Sequence, residues 1–370
     1  MNHTDTIRFV EIDVAMSAFD DAAVILKEYF SKDPRFEYVD YIANGAHGST
    51  HQIRYKDPNR PQLQHFIVKK AFPAPESQRM IEKERNALKI LRGARHIVQP
   101  LTILNDPLAV PTKGAGKPIG EYIIMEWIPN GTIQKFIKWA RAHDVVRLPN
   151  RLLWRFLFCM VRACTGLAYP IGRTDDIVVD EEPRLDVPPS MGTHGDLHRN
   201  NILVGDFLQL PEHGIAPILK FIDFGSASDS EGVPRNLWDI GKIMVALIIL
   251  STDDVIRQSP FVTPYLFIYN YTIILSQAHP ILPPASHGGE LTWLDSDLAV
   301  LVALLLATRP TDRPDLFKVH NICQHAIAHR TAEFYGDPTT ESDKVVRELC
   351  ELIVLSPAYD PPEPMDIDIY

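Results

Sequence analysis

Thr193-His194-Gly195-Asp196-Leu197-His198-Arg199-Asn200-Asn201-Ile202-Leu203, followed by Phe221-Ile222-Asp223-Phe224-Gly225, decides how the rest of the chain is read. The stretch brings an aspartate, an asparagine five residues later and a second aspartate 22 residues after that. That set suits phosphoryl transfer. One carboxylate orients a hydroxyl nucleophile, while an amide and a second carboxylate hold the Mg²⁺ ions that neutralise nucleotide phosphates. On this reading Asp196, His198 and Asn201 are the catalytic candidates, and Asn201 and Asp223 the metal ligands.

Working outward, the upstream chain supplies matching parts. Tyr41-Ile42-Ala43-Asn44-Gly45-Ala46-His47-Gly48-Ser49-Thr50 is a hairpin with Gly45 and Gly48, residues that let backbone N–H groups approach phosphate oxygens. Phe66-Ile67-Val68-Lys69-Lys70 is β-prone, and period-2 alternation puts Ile67 and Lys69 on one face and Lys70, expected to be solvated, on the other. A helix is expected over 76–92, with Glu84 on an apolar stripe with Met80, Leu88 and Leu91. A carboxylate on an inward face needs a partner, and Lys69 is the natural one. Tyr122-Ile123-Ile124-Met125-Glu126-Trp127-Ile128 is a further apolar strand, followed by Asn130-Gly131-Thr132 as the cap of a helix. Downstream stand Asn236-Leu237-Trp238-Asp239-Ile240-Gly241, opening a buried helix, and Thr311-Asp312-Arg313-Pro314.

Taken in order, these motifs resemble the protein-kinase-like superfamily, in the forms HGDLHxxN and DFG, over roughly residues 36–330. The resemblance implies an α+β, bilobal fold. A small antiparallel-sheet lobe with one main helix would span 36–125, a hinge 126–131 and a larger, mostly helical lobe 132–330. Flanking it would be an N-terminal helical extension over 1–35, a C-terminal helix over 331–356 and a disordered Pro/acidic tail over 357–370. It implies ATP and Mg²⁺, with Lys69 on the α/β-phosphates and Glu84 as its partner. Ile67 would roof the adenine, Met125 would be the gatekeeper, and the Glu126 carbonyl and Ile128 backbone would meet the adenine edge. The activity implied is an ATP- and Mg-dependent phosphotransferase acting on a hydroxyl-bearing substrate, in the first place an atypical Ser/Thr protein kinase. A small-molecule kinase of related fold and a pseudokinase scaffold that binds nucleotide without turnover are the alternatives.

The chain departs from that pattern at named places. Ala43 replaces the first glycine of the hairpin motif, Gly195 stands where regulated kinases carry arginine, and His198 where Ser/Thr kinases carry lysine. HGDLH resembles aminoglycoside and choline kinases. Only ten residues, Ser226 to Arg235, separate Gly225 from Asn236, leaving no room for a peptide-docking segment. Asn236 replaces an aspartate, and Arg313 has lost its glutamate partner, for which Glu231 is the expected substitute. An acidic insertion over 171–191 carries Asp175, Asp176, Asp180, Glu181, Glu182 and Asp186 and is a candidate surface for a protein partner.

Bulk properties bound the function. The chain has 370 residues, 45% of them hydrophobic, and a net charge of −10, which argues against nucleic acid as a partner. Four scattered cysteines form neither a metal-type pair nor a disulfide framework. No basic leader precedes an apolar core, and no apolar run is long enough to span a membrane. A cytoplasmic or nuclear protein is expected.

Overall fold

Four β-prone runs pair in chain order as β1 (Phe36–Asn44), β2 (Gly48–Tyr55), β3 (His65–Ala71) and β4 (Tyr122–Glu126), an antiparallel sheet. The computed structural model describes residues 22–56, 63–109, 119–253, 256, 265–269, 272–279, 281 and 291–355. The first 21 residues of the expected N-terminal extension and the Pro/acidic tail lie outside them.

The sheet's two faces do different work, because successive side chains of a strand point to opposite sides. Phe66 and Val68 face a helix, α1, described over 22–30, which contributes Leu26, Tyr29 and Phe30 to a core shared with Phe36, Ile53, Tyr55 and Ile124. Phe36 stacks on Tyr55 at 5.1 Å between centroids, and Phe30 meets Phe66 edge-on at 6.1 Å. Ile67 and Lys69 face the other way, as the alternation requires. Lys70 corrects the expectation of a solvated lysine. It lies on the α1 side, is 6% exposed, and donates to the Ala71 carbonyl at 3.3 Å. Its long apolar stem lets a strand end carry it inward.

Helix α2 (Pro75–Ile90) starts on a proline at its first position and buries Ser77, Ile81, Glu84 and Leu88. The buried stripe is centred closer to Ser77 and Ile81 than the expected Met80 line, and Met80 is half-buried. Thr132 caps α3 (Ile133–Ala142), its hydroxyl accepting from the Lys135 N–H. All 19 residues of α4 (Asn150–Ala168) are buried, so α4 is the central post of the helical part. Around it pack α5 (Gly232–Ile248), α6 (Ser296–Leu305) and α7 (Leu316–His329), which share one hydrophobic core with it.

Two features were not foreseen. Within the part expected to be helical, β9 (Tyr265–Tyr269) and β10 (Thr272–Ser276) form an antiparallel hairpin. The single helix expected over 331–356 is three helices: α8 (Ala332–Tyr335), α9 (Pro338–Glu341) and α10 (Asp343–Leu355). Gly336, in the left-handed region at φ +61°, ends the first, and Pro338 starts the second. Glu341 then takes the N–H groups of Asn150 and Arg151 at 2.8 and 3.0 Å, the cap that Pro149 cannot supply to α4. Among the described residues no helix is long and apolar enough to cross a membrane.

Candidate functional site

Two short ladders present the signature loops. β5 (Gly192–Thr193) pairs with β8 (Ser228–Asp229), and β6 (Ile202–Val204) pairs with β7 (Leu219–Phe221). The loop of residues 194–201 therefore leaves β5 and enters β6, while the loop of 222–227 leaves β7 and enters β8. The two run side by side. The Ile222 N–H donates to the Asn201 carbonyl at 3.0 Å, and His194 Nε2 donates to the Ile222 carbonyl at 2.9 Å. The Asp196 N–H in turn points at His194 Nδ1 at 3.4 Å, so His194 is the neutral Nε2–H tautomer; burial holds its pKa below the ordinary histidine value.

Gly195 is dictated by its surroundings. Its φ is +85°, and a Cβ there would stand 2.3 Å from the Ser226 carbonyl oxygen. No side chain fits where the two loops touch. Asn236 of α5 secures the same loop with both ends of its amide: Oδ1 accepts from the His194 N–H and Nδ2 donates to the Gly192 carbonyl, each at 3.0 Å. An ionised aspartate accepts only and could not serve Gly192.

The charges meet below the sheet. Lys69 Nζ lies 2.7 Å from Glu84 and 3.0 Å from Asp223. Glu84 is 1% exposed, whereas the Asp223 side chain is 41% exposed. Burial alone would discharge Lys69; the Glu84 and Asp223 carboxylates outweigh it and hold the ammonium charged. Burial pushes the Glu84 carboxyl above its ordinary value, with Lys69 opposing, while Asp223 stays below its own because Lys69 more than offsets its desolvation. Asp223 has φ +63°, a left-handed conformation that Asp tolerates better than most residues.

Asp196, His198 and Asn201 form the second group. Asn201 Nδ2 donates to the Asp196 carbonyl at 2.8 Å and reaches its carboxylate at 3.3 Å, and His198 Nε2 stands 3.5 Å from that carboxylate. The His198 ring beside it is the main reason the Asp196 carboxyl is held below its ordinary value. His198 is fixed by its other nitrogen, which accepts from the Asn200 N–H at 3.2 Å. Asn201 thus spends its amide N–H groups inward. The Asp223 carboxylate accepts from Lys69 Nζ at Oδ1 and also from the Gly225 N–H.

The remaining candidates sit around this centre. Ile67 and Met125 are register partners on β3 and β4, both buried. The Ile128 side chain is buried, and its backbone makes no hydrogen bond among the described residues. The Glu126 carboxylate accepts from Gln99 N at 2.8 Å and Lys220 Nζ at 2.5 Å, an anchor between strand and loop that no motif announced. Gly45 and Gly48 close the β1–β2 hairpin through a 2.8 Å bond from Gly45 N to the Gly48 carbonyl. A Cβ at Gly48 would stand 2.4 Å from the Lys70 carbonyl, so close strand approach requires that glycine; a Cβ at Gly45 would meet the Gly48 carbonyl at 3.8 Å, an ordinary contact.

Two expectations about charge are corrected. Glu231 pairs with Arg235, not Arg313; Arg313 donates to the Ala307 and Pro234 carbonyls and stacks on Trp238 at 4.6 Å. Every acid named in the 171–191 insertion is matched within the chain: Asp175 by Arg173, Asp176 by Arg92, Asp180 by Arg95, Glu181 by His96, Glu182 by Arg162 and Asp186 by Arg184. The insertion is therefore stitched to the molecule rather than presenting free negative charge.

One buried cluster escaped notice in the sequence because its members are far apart in it. His96, Cys159 and His213 place ligand-type atoms within 4.8 Å of one another. Their hydrogen bonds close without an ion: His96 Nδ1 donates to Glu181 at 2.7 Å, His213 Nε2 faces His96 Nε2 at 3.2 Å, and Cys159 Sγ faces His213 Nδ1 at 4.0 Å.

No family model matches the chain, and no curated protein is similar to it.

Proposed function

We propose that this chain is an ATP- and Mg²⁺-dependent phosphotransferase of protein-kinase-like, bilobal fold, transferring the γ-phosphoryl group to an alcohol. The observation that carries the reading is the position of Lys69 between Glu84 and Asp223, at 2.7 and 3.0 Å, next to Asp196 and Asn201. A charged lysine fixed by a buried glutamate supplies a rigid positive point for nucleotide phosphates.

The donor set suits Mg²⁺. Asn201 Oδ1 and the half-exposed Asp223 carboxylate are hard oxygens, the type that Mg²⁺ takes. When bound, Mg²⁺ would neutralise charge on the β- and γ-phosphates. Ile67 and Met125 form the apolar slot for the adenine, and the Ile128 backbone is available to its edge. Asp196, kept ionised, accepts the acceptor's hydroxyl proton as the alcohol oxygen bonds the γ-phosphorus. The bond from that phosphorus to the β-phosphate oxygen breaks, and ADP leaves. His198 holds the Asp196 carboxylate in place. All four cysteines are free and buried, which suits a reducing, intracellular setting.

Asp223→Asn tests this reading. Mg-dependent ATP turnover is expected to fall by at least about a hundredfold, the usual effect of removing one preorganised charge from such a site. The thermal unfolding midpoint should stay within a few degrees of wild type. Unchanged turnover in a folded variant would rule out the metal-binding role.

A further inference from the structure

Successive residues of β7 face opposite ways: Leu219 and Phe221 are buried in the main core, and Lys220 between them turns to the other side. There its Nζ lies 2.5 Å from Oε1 of Glu126, the last residue of β4, across 94 positions of sequence. The Lys220 side chain is 12% exposed, so this is no solvated surface pair. Resting on the phosphotransfer reading, we propose that Lys220 is a positioning residue. Through Glu126 it sets the adenine slot against the metal-holding Asp223, and so governs affinity for the whole Mg·ATP molecule.

Glu126 is itself fixed from several sides. Strand pairing sets it opposite Phe66 of β3. Its N–H donates to the Gln99 carbonyl at 3.0 Å, and the Gln99 N–H donates back to Oε1 at 2.8 Å. Gln99 is buried and is braced by its own amide. Its Oε1 accepts from the Gly93 N–H at 2.7 Å, and its Nε2 donates to the Ala94 and Ile97 carbonyls at 2.6 and 2.8 Å. The same loop meets β7 through main chain. The Val98 N–H donates to the Phe221 carbonyl at 3.0 Å, and the Phe221 N–H to the His96 carbonyl at 2.9 Å. One carboxylate oxygen therefore gathers the end of β4, the loop of residues 93–99 and β7.

The groups that would meet nucleotide hang from the two ends of this pair. Met125, register partner of Ile67 across the slot, directly precedes Glu126, and Ile128 follows two residues later. Asp223 follows Lys220 by three residues. Mg·ATP must reach the slot with its base and the metal ligand with its phosphates at once, whereas adenosine needs the slot alone. A ligand that requires one arrangement binds more weakly in proportion to the fraction of molecules holding it, and at saturation every bound molecule holds it. Loss of the pair should therefore raise KM for ATP and spare kcat.

The test is calorimetric titration of adenosine, and of Mg²⁺ with a non-hydrolysable ATP analogue, into full-length wild type, Lys220→Met, Glu126→Gln and Lys220→Arg. ATP turnover is measured on the same proteins. Lys220→Met and Glu126→Gln are expected to weaken the analogue about tenfold and to leave adenosine within about twofold, as when the aligned fraction falls to about a tenth. KM for ATP should rise about tenfold while kcat falls by less than about threefold. Lys220→Arg, which keeps the charge and a donor, should recover most of the affinity. Equal losses for adenosine and the analogue would overturn the proposal. So would unchanged affinity for both, or a fall in kcat with KM unchanged. Absence of binding of either ligand by wild type would instead overturn the phosphotransfer reading. Hydrogen exchange over residues 221–226 then judges Lys220 separately: Lys220→Met should raise it, and unchanged exchange would remove the positioning role.

Discussion

Lys69 concentrates the energetics of the site in one side chain. It neutralises a carboxylate that is 1% exposed and also reaches one open to solvent. Removing it strips the only ion-pair partner of Glu84 among the described residues, whose Oε1 already lacks a hydrogen-bond partner. Breaking a buried pair from one side costs about 3–5 kcal/mol, more than the pair contributes intact, because a lone charge stays buried. Lys69→Met should lower unfolding stability by about that amount and abolish turnover. Lys69→Met combined with Glu84→Gln should recover most of the stability, read from urea midpoints, and none of the turnover. A double variant no more stable than the single would show that the buried charge is not what destabilises Lys69→Met.

At the scale of elements, the loop of residues 194–201 is held by α5 through one amide. Asn236 bonds a donor, His194 N–H, and an acceptor, the Gly192 carbonyl. Asn236→Asp keeps the shape, removes the donor and buries a charge. It should cost about 1–3 kcal/mol and loosen Asp196, raising hydrogen exchange over residues 193–201. Unaltered exchange there would mean that other contacts hold the loop. The sheet offers a pH-dependent element. His51 of β2 is fully buried between Tyr38 and Ser49, at 3.0 and 2.7 Å. Burial, followed by the charges of Lys70 and Lys27, lowers its pKa from 6.5 to about 4. The unfolded chain binds the proton first, so stability is full above pH 6.5 and falls as pH drops towards 4. Between pH 7 and 5 the loss from this group is about 2 kcal/mol. Comparing denaturant midpoints of wild type and His51→Gln at both pH values checks it: the variant should lose less, and an identical loss would remove His51 as the cause.

At the scale of the whole molecule, one core runs from the inner face of the sheet through α4 to α10, and a second lies between the sheet and α1. Much of this was legible along the chain. Period-2 and 3.6-residue patterns placed β3, α2 and the buried helices, and motif order brought Lys69, Glu84 and Asp223 into one cluster. What was not legible depended on contacts across the fold. Lys70 looked solvated because a strand end says nothing of α1 lying over it. Glu341 gave no sign of capping α4, which begins 191 residues earlier. The pairing of Asp176, Asp180 and Glu182 in the insertion was not legible because Arg92, Arg95 and Arg162 lie elsewhere in the sequence. Gly195, noted first as a missing arginine, proved to be a steric requirement set by Ser226.

The central claim is that Asp196 and the Lys69–Glu84–Asp223 cluster form one phosphotransfer site. The most direct measurement is release and transfer of the γ-phosphoryl group of Mg·ATP by purified protein, set beside Asp196→Asn. Wild type is expected to turn over, and Asp196→Asn to retain nucleotide binding while losing at least about a hundredfold in rate. Equal rates in the two proteins, or no nucleotide binding by wild type, would contradict it.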